Sequence, residues 1–490
     1  DRCGRTRGQF ETLAIADAQE ELRSKDLVVL QTDKSGLFGV LPISDFLKKR
    51  SETVQNLLVP YRGDLKRLKR AVLDLLRDNE MDSLVKGIRD AVSCTFSIKF
   101  LLKDHKPEMP LRIVLNEHNT WQKVLSSFLQ RSLSCINLTN SLSLKNSEEF
   151  LQSLTPFRGS RVFVMSLDVK DLYYSLRKQL LLARVQSFLT DNLVRFQSFS
   201  GLAIADFMKL LDLYLQSTVT TIDDVMYTQR DGIFIGSSIA PLLSEMYLNV
   251  LDTAVCKFLE SCPKGSAIVS RFVDDIIIVS TSNSLLDSVH QKILSAAPEL
   301  KFTTELPTEG KMQFLDVTLF TQRGLCWEYG KAKYKPILSS KSCHSKLVKK
   351  GVINSLLHNA LKKSCCHLLA QALSKQVDRL LQAGYSHQLI DKSLLSQFSV
   401  RSLNSSNSEK KIVVPFYHKI SHNLKAISRQ HDLRLVFSNG FRLDRLTPFS
   451  KCRVDCGKNH RTLSFVPCAK NVVYSIPLKC GFVYIGQTSQ

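Results

Sequence analysis

Residues 161–176 read RVFVMSLDVKDLYYSL and residues 266–280 read SAIVSRFVDDIIIVS. Both are apolar, β-branched runs of strand length that carry acids: Asp168 closes Val162–Leu167, and the pair Asp274–Asp275 has apolar residues on either side. Ionised carboxylates beside buried strand positions are costly unless they are paired or bind a cation. A tight hairpin turn that exposes both acids would account for the pair alone, but Asp168 on a matching upstream strand adds a third carboxylate. Three convergent carboxylates suit two Mg²⁺ ions, because hard cations take oxygen ligands and a two-ion clamp stabilises the attacking and leaving oxygens of an in-line phosphoryl displacement. That chemistry is nucleotidyl transfer.

Between the two strands lies QRDGIFIGSSIAPLLSEMYLNVLD, residues 229–252. Gly232, Gly236, Ser237 and Ser238 form a small-residue turn that opens a helix at Pro241, and such a turn lets a backbone approach a base pair and offers N–H donors. An ordinary helix start with Ser and Pro is the other reading of this segment. From Phe96 to about Phe320, short β-branched runs alternate with longer helical patterns, the rhythm of a mixed α/β domain. Upstream, Val54–Asn79 reads as a helix-like run preceded by the strand-like LVVLQTDKSGLFGVLP of residues 27–42. Downstream, residues 346–384 carry leucines at helical spacing with Lys and Arg between them and Gly384 as a stop, which predicts a basic helical bundle. SLNSSNSEKK at 402–411 reads as a linker. The expected division is 1–90, an N-terminal α/β extension; 91–330, a mixed α/β domain; 331–445, a helical region and connector; and 446–490, a Cys/His-rich module.

The 490 residues are enough for several cores, and the 67 Lys and Arg against 45 Asp and Glu give a formal charge of +22 spread along the chain. Nucleic acid is the partner that such a surface fits, although charge alone identifies no ligand. Thirteen cysteines without framework spacing favour a reducing, intracellular compartment, nucleus or cytoplasm, with a nuclear site of action. No apolar run is long enough to cross a bilayer, so no membrane span is expected. Because the chain starts at Asp1 and stops at Gln490 inside a strand signal, both ends are expected to be incomplete.

The ordered set SLDVKDLYYSL, GIFIGSSIAPLLSEMYLN, RFVDDIIIV and KFTTELPTEGKMQFLDVTLF resembles the successive motifs of reverse transcriptases, over about Phe96 to Ser345. FLDV at 314–317, followed by SCHSKLVKKGVINSLLHNALKKSC, is similar to the Penelope-like retroelement branch, which also carries a C-terminal GIY-YIG endonuclease. The resemblance implies an α+β right hand, with mixed α/β fingers, a ferredoxin-like palm and a helical thumb. It implies an RNA-directed DNA polymerase that works with an RNA template, a DNA primer or target and dNTPs, and uses two Mg²⁺ ions, with Mn²⁺ as a substitute.

Position by position, the resemblance makes Asp168, Asp274 and Asp275 the catalytic metal ligands and has the Val169 carbonyl assist at the nucleotide metal. Tyr173 would lie under the incoming sugar, where its ring would clash with a 2′-hydroxyl. Lys103, Lys106 and Arg112 would grip the triphosphate, Arg112 suiting a bidentate contact. Gln229, Gly236 and Ser237 would line the templating pair, Lys301 or Lys311 would protonate pyrophosphate, and Gln313–Phe320 with the following CWEY would form a primer-grip hairpin. Ile113 stands where many relatives have proline.

At the C-terminus, Cys452, Cys456, His460 and Cys468 fit a tetrahedral Zn²⁺ site, with Cys480 an alternative fourth ligand and free thiols the other reading. VVYSIPLKCGFVYIGQT looks like the opening hairpin of a GIY-YIG nuclease, truncated before the family's catalytic residues, so no cleavage by this chain is expected. Two further functions remain open at this point: a degenerate, non-catalytic nucleic-acid-binding protein, and an RNA-templated RNA polymerase sharing the same palm.

Overall fold

The computed structural model describes residues 17–398 apart from 105, 139–140, 332–335 and 343, together with 411–415, 420–431, 433–438 and the strands 473–477 and 483–487. The chain divides into two units, residues 1–446 and 447–490.

The apolar stretch 27–42 forms a hairpin of β1 (Leu27–Gln31) and β2 (Phe38–Pro42) around the turn TDKSGL. The run expected to be helical over 54–79 is divided. A helix Ile43–Leu57 gives way to β3 (Leu58–Pro60), and a second helix spans Leu65–Asp78. Pro60 cannot continue a helix, and the Asp64 side chain starts the next one by accepting from the Lys66 and Arg67 amides. β4 (Ser97–Leu102) and β5 (Leu111–Asn116) make a hairpin, while β3 pairs with β8 (Val225–Gln229) and β8 with β7 (Val219–Ile222). Val72 and Leu76 of the helix Leu65–Asp78, and Val85 and Ile88 of the helix Asp82–Arg89, share one core with Trp121, Leu125, Phe207 and Tyr214.

The central sheet is antiparallel throughout, in the order β11-β6-β10-β9. Its strands are β6 (Phe163–Val169), β9 (Ala267–Phe272), β10 (Asp275–Ser280) and β11 (Phe302–Glu305). Helices lie in two of the connections, Ala240–Glu260 before β9 and Asn283–Ala296 after β10. Along β6 and β10 both faces are covered, which explains why the sequence is nearly all apolar there. Met165, Leu167, Ile276 and Ile278 belong to the large helical core. Val164, Ile277 and Val279 pack with Phe150, Met312, Phe314, Val317 and Trp327. The latter face is closed by a second sheet of β12 (Lys311–Phe314), β13 (Val317–Phe320) and β14 (Cys326–Tyr329). Asp168 and Asp275 share that face with Val164 and Ile277 by the two-residue period, and they stand at the strand end where Asp168 becomes exposed.

Beyond β14, helices Lys346–Lys362, Leu369–Gln382 and His387–Phe398 bundle around Ile353, Leu357, Leu380, Tyr385 and Ile390. Gly384, at φ +84°, follows the second helix as its stop. Lys363 pairs with Asp316 at 2.9 Å, and Lys375 pairs with Glu328, tying the bundle to the β12–β14 sheet. Lys411–Pro415 and Arg434–Ser438 pair in parallel across the helix Ile420–Gln430. Of the linker read at 402–411, residues 402–410 lie outside the described residues, and Lys411 begins the first of these strands. In the second unit, Val473–Pro477 and Val483–Gln487 form an antiparallel hairpin with Tyr474 opposite Gly486. Among the described residues no helix is long and apolar enough to cross a membrane.

Candidate active site

β6 and β10 run antiparallel with Asp168 directly opposite Asp275, and β9 returns to β10 through the two residues Val273 and Asp274. That turn places Asp274 beside the other two acids, and ligand oxygens of Asp168, Asp274 and Asp275 all lie within 4.8 Å of one another. Crowding of like charge shows in their protonation. Burial, then the Asp274 charge, raises the Asp168 carboxyl, while burial with the charges of Asp274 and Asp168 pushes Asp275 up to about 6. Such a group of hard oxygen donors, with Asp168 and Asp275 raised by burial and by neighbouring charge, is relieved by a divalent cation.

The turn is held in an unusual shape. Val273 has φ +58°, a conformation that costs a β-branched residue roughly 1–3 kcal/mol. Two bonds hold it: the Val169 amide donates to the Asp274 carbonyl at 3.0 Å, and Arg271 donates to the Val273 carbonyl at 3.0 Å. Arg271 is fully buried and also donates to both oxygens of Asp252 (2.9 and 2.6 Å) and both of Glu245 (3.1 and 2.9 Å). Burial alone would lower its guanidinium, but the two carboxylates outweigh that and raise it above its ordinary value. Sequence reasoning missed Arg271. A signal was there, since an arginine inside an apolar strand needs partners, and Glu245 and Asp252 sit seven apart, on one face of a helix.

After β6 the chain turns through Asp171 (φ +49°) into the short helix Leu172–Ser175, which sets Tyr173 near Asp274 and Tyr174 near Arg112 and Asp171. Burial pushes up the Tyr173 phenol, the Ser244 hydroxyl offsets part of that, and Asp274 and Glu245 add to it. Tyr174 is pushed up to about 12, chiefly by burial. The Tyr173 carbonyl accepts from Ile233 at 2.8 Å, and a Cβ on Gly232 would stand 2.0 Å from that carbonyl, so only glycine fits. Gly236, at φ +112°, similarly lies where a Cβ would meet the Leu115 carbonyl at 1.9 Å, while the Leu115 amide donates to Ile235 at 2.9 Å.

Ser237 and Ser238 point inward to a second residue that the sequence reading missed. Glu117 is buried, and it accepts from the Tyr214 hydroxyl (2.8 Å), the Ser126 hydroxyl (2.9 Å) and the Ser238 amide and hydroxyl (3.0 and 2.7 Å). Lys123 pairs with it at 3.5 Å and donates to Ser238. Ser237 reaches Glu117 indirectly, through Tyr214 at 2.6 Å. The Ser237 hydroxyl is therefore spent inside the protein, where it fixes the turn. Nothing in the sequence around Glu117 marks it, because its partners come from three separate segments.

On the β4–β5 hairpin, Arg112 pairs with Asp33 of the β1–β2 turn at 3.1 Å. The Lys103 ammonium is lowered by burial and by Arg112, with Asp171 and Asp33 opposing, so Lys103, Arg112 and Asp171 form one charged neighbourhood. Lys106 is exposed in the turn beyond Lys103. Gln229 lines a cavity of about 880 Å³ with Tyr61, Arg67, Tyr174, Arg177 and Gly232. Gln313, within β12, donates to the Val317 carbonyl at 2.8 Å. Cys452, Cys456, His460 and Cys468 lie outside the described residues, as does Cys480.

An antiparallel four-stranded sheet that gathers three carboxylates at one end, with finger-like hairpins and helices about it, defines the class: a polymerase fold. More narrowly, the family described as reverse transcriptase (RNA-dependent DNA polymerase) matches residues 63–315, over half of the 490, and the chain belongs to that family. Among solved structures it is similar to telomerase from Candida albicans in complex with a TWJ fragment of telomeric RNA. That pair has 14% identity and a TM-score of 0.51, over 80% of this chain and 71% of that one. It also matches apo telomerase from Candida tropicalis at 12% identity and a TM-score of 0.48, over 77% of this chain and 67% of that one. At such identities the likeness to the first is one of fold. No curated protein matches the sequence.

Proposed function

We propose that this protein is an RNA-directed DNA polymerase of a retroelement, which extends a DNA 3′ end on an RNA template. The observation that carries the reading is the convergence of Asp168, Asp274 and Asp275 to within 4.8 Å in a chain of this family. These three side chains would hold two Mg²⁺ ions, or Mn²⁺. Bound there, the ions supply charge neutralisation to the attacking and leaving oxygens of an in-line displacement.

The rest of the work falls to the chain itself. Lys103 and Arg112 bind the triphosphate, with Lys106 at the rim of the same hairpin. Tyr173 forms the floor under the sugar and excludes a 2′-hydroxyl by steric contact. The turn Gly232–Ser238 backs the templating pair, with Gln229 beside it, and Glu117 and Tyr214 hold that turn rigid so that less is lost in ordering it when substrate binds. The central sheet acts as a palm, the bundle from 346 as a thumb, and Gln313–Phe320 with β14 as the primer-side hairpin. Purified protein should incorporate dNTPs on a primed RNA template only with Mg²⁺ or Mn²⁺. Folded protein that shows no incorporation would instead be a non-catalytic nucleic-acid binder.

The proposal extends to a Penelope-like lineage. It is supported by FLDV at the β12–β13 turn and by the Tyr474–Gly486 pairing in the C-terminal hairpin, the position of a GIY-YIG start. Zn²⁺ on Cys452, Cys456, His460 and Cys468, and action on nuclear DNA, belong to the same proposal. Elemental analysis of the full chain should find one zinc per protein, lost in Cys452→Ser, and metal-free protein would remove the zinc site from the account.

A further inference from the structure

The turn 32–37 precedes the family-matched residues, yet it is fastened to the candidate site. Thr32 bridges to Leu102, and the Asp33 amide donates to the Leu102 carbonyl at 2.8 Å. The Thr32 hydroxyl closes the turn on itself, 2.7 Å from the Ser35 hydroxyl and 2.8 Å from the Leu37 carbonyl. Asp33, its side chain 6% exposed, takes the Arg112 guanidinium. These bonds pin the turn to the end of β4, where Lys103 begins. Within it Lys34 is exposed and follows directly on the Asp33 that holds Arg112, so the same bonds place it beside Lys103 and Arg112, and its charge also opposes the rise in Asp168 and Asp275. Among the described residues Lys34 forms no ion pair. An exposed ammonium without an ion pair, next to the turn's bond to Arg112, can take a phosphate oxygen.

We infer that Lys34 is a substrate-contacting residue: its ammonium binds the triphosphate of the incoming nucleotide and the pyrophosphate that leaves, completing with Lys103 and Arg112 a cradle of three cations. This rests on the polymerase reading and adds the β1–β2 hairpin to the active site. The competing role for Lys34 is charge balance at the acids alone. In that role its removal would strengthen Mg²⁺ binding and leave phosphate affinity unchanged.

Inorganic pyrophosphate with Mg²⁺, titrated calorimetrically onto the full chain, distinguishes the two without turnover. A charge-assisted contact of ordinary strength predicts that Lys34→Ala and the longer Lys34→Gln each weaken pyrophosphate binding about tenfold, and that Lys34→Arg stays within about twofold of wild type. Melting temperatures should match throughout, since Lys34 is exposed. Unchanged pyrophosphate affinity in Lys34→Ala, or no binding by wild type, overturns the inference. Primer extension by wild type is read separately. Lys34-dependent binding without extension would sink the polymerase reading and leave this contact standing, and extension with Lys34-independent binding would do the reverse.

Discussion

Asp275 faces Asp168 across the β6–β10 ladder with Asp274 at the adjoining turn, and its carboxyl is pushed up to about 6 by burial and those two charges. The folded state thus holds this proton more tightly than the unfolded chain does. The group's contribution to stability is fully present below about pH 4 and is lost as pH rises through about 6 in the ion-free protein. Divalent binding needs the ionised form, so the rise in melting temperature on adding Mg²⁺ should be small near about pH 5 and reach a plateau above about pH 7. A Mg²⁺ shift of equal size at both would contradict the assignment. Tyr173, set by Asp171 and beside Asp274, makes a separate residue-level claim. Truncating it to alanine should raise rNTP use relative to dNTP on the order of tenfold or more, because steric exclusion is what discriminates. An unchanged ratio in single-nucleotide incorporation assays would move sugar selection elsewhere, with Tyr174 the next residue to test.

The β9–β10 hairpin shows how an element is made to hold a costly shape. Arg271, from inside β9, joins the Val273 carbonyl to Glu245 and Asp252 of the helix Ala240–Glu260. Replacing it with methionine leaves the buried Asp252 and the partly buried Glu245 without their guanidinium, and should cost about 3–5 kcal/mol in urea denaturation. Arg271→Lys keeps the charge but not the fork, so the folded variant should lose kcat with KM for dNTP nearly unchanged. A rise in KM alone would mean that the hairpin does not position Asp274.

Elements of this kind were legible to different degrees. β6 and β10 could be read because both faces are covered, leaving long apolar runs in which the acids stood out. Val54–Asn79 was misread because its leucines keep helical spacing across Pro60, where the backbone extends to pair with β8. Glu117 was illegible, since a buried carboxylate announces itself only through partners such as Ser126, Tyr214 and Ser238, brought together by the fold.

At the scale of the whole molecule, motif order carried most of the information. The four quoted motifs contribute strands to the central sheet, its connecting helix and the β12–β13 hairpin, and the family match at 63–315 spans all of these except β13. Patterning said little about how the N-terminal residues join the rest. β1 and β2 look like a separate preamble in sequence, yet Thr32 and Asp33 bond to Leu102 and Arg112 beside the candidate site, contacts that no local signal encodes. The charge of +22 carries no information about topology. The central claim is that the three clustered acids make this chain a polymerase that copies RNA into DNA. It is tested most directly by primer extension on an RNA template with dNTPs and Mg²⁺, wild type beside Asp274→Asn. The account predicts extension by wild type and a loss of at least about a hundredfold in the variant, with both proteins folded and both binding the primed template. Equal extension by the two, or none by folded wild type with either Mg²⁺ or Mn²⁺, would contradict it.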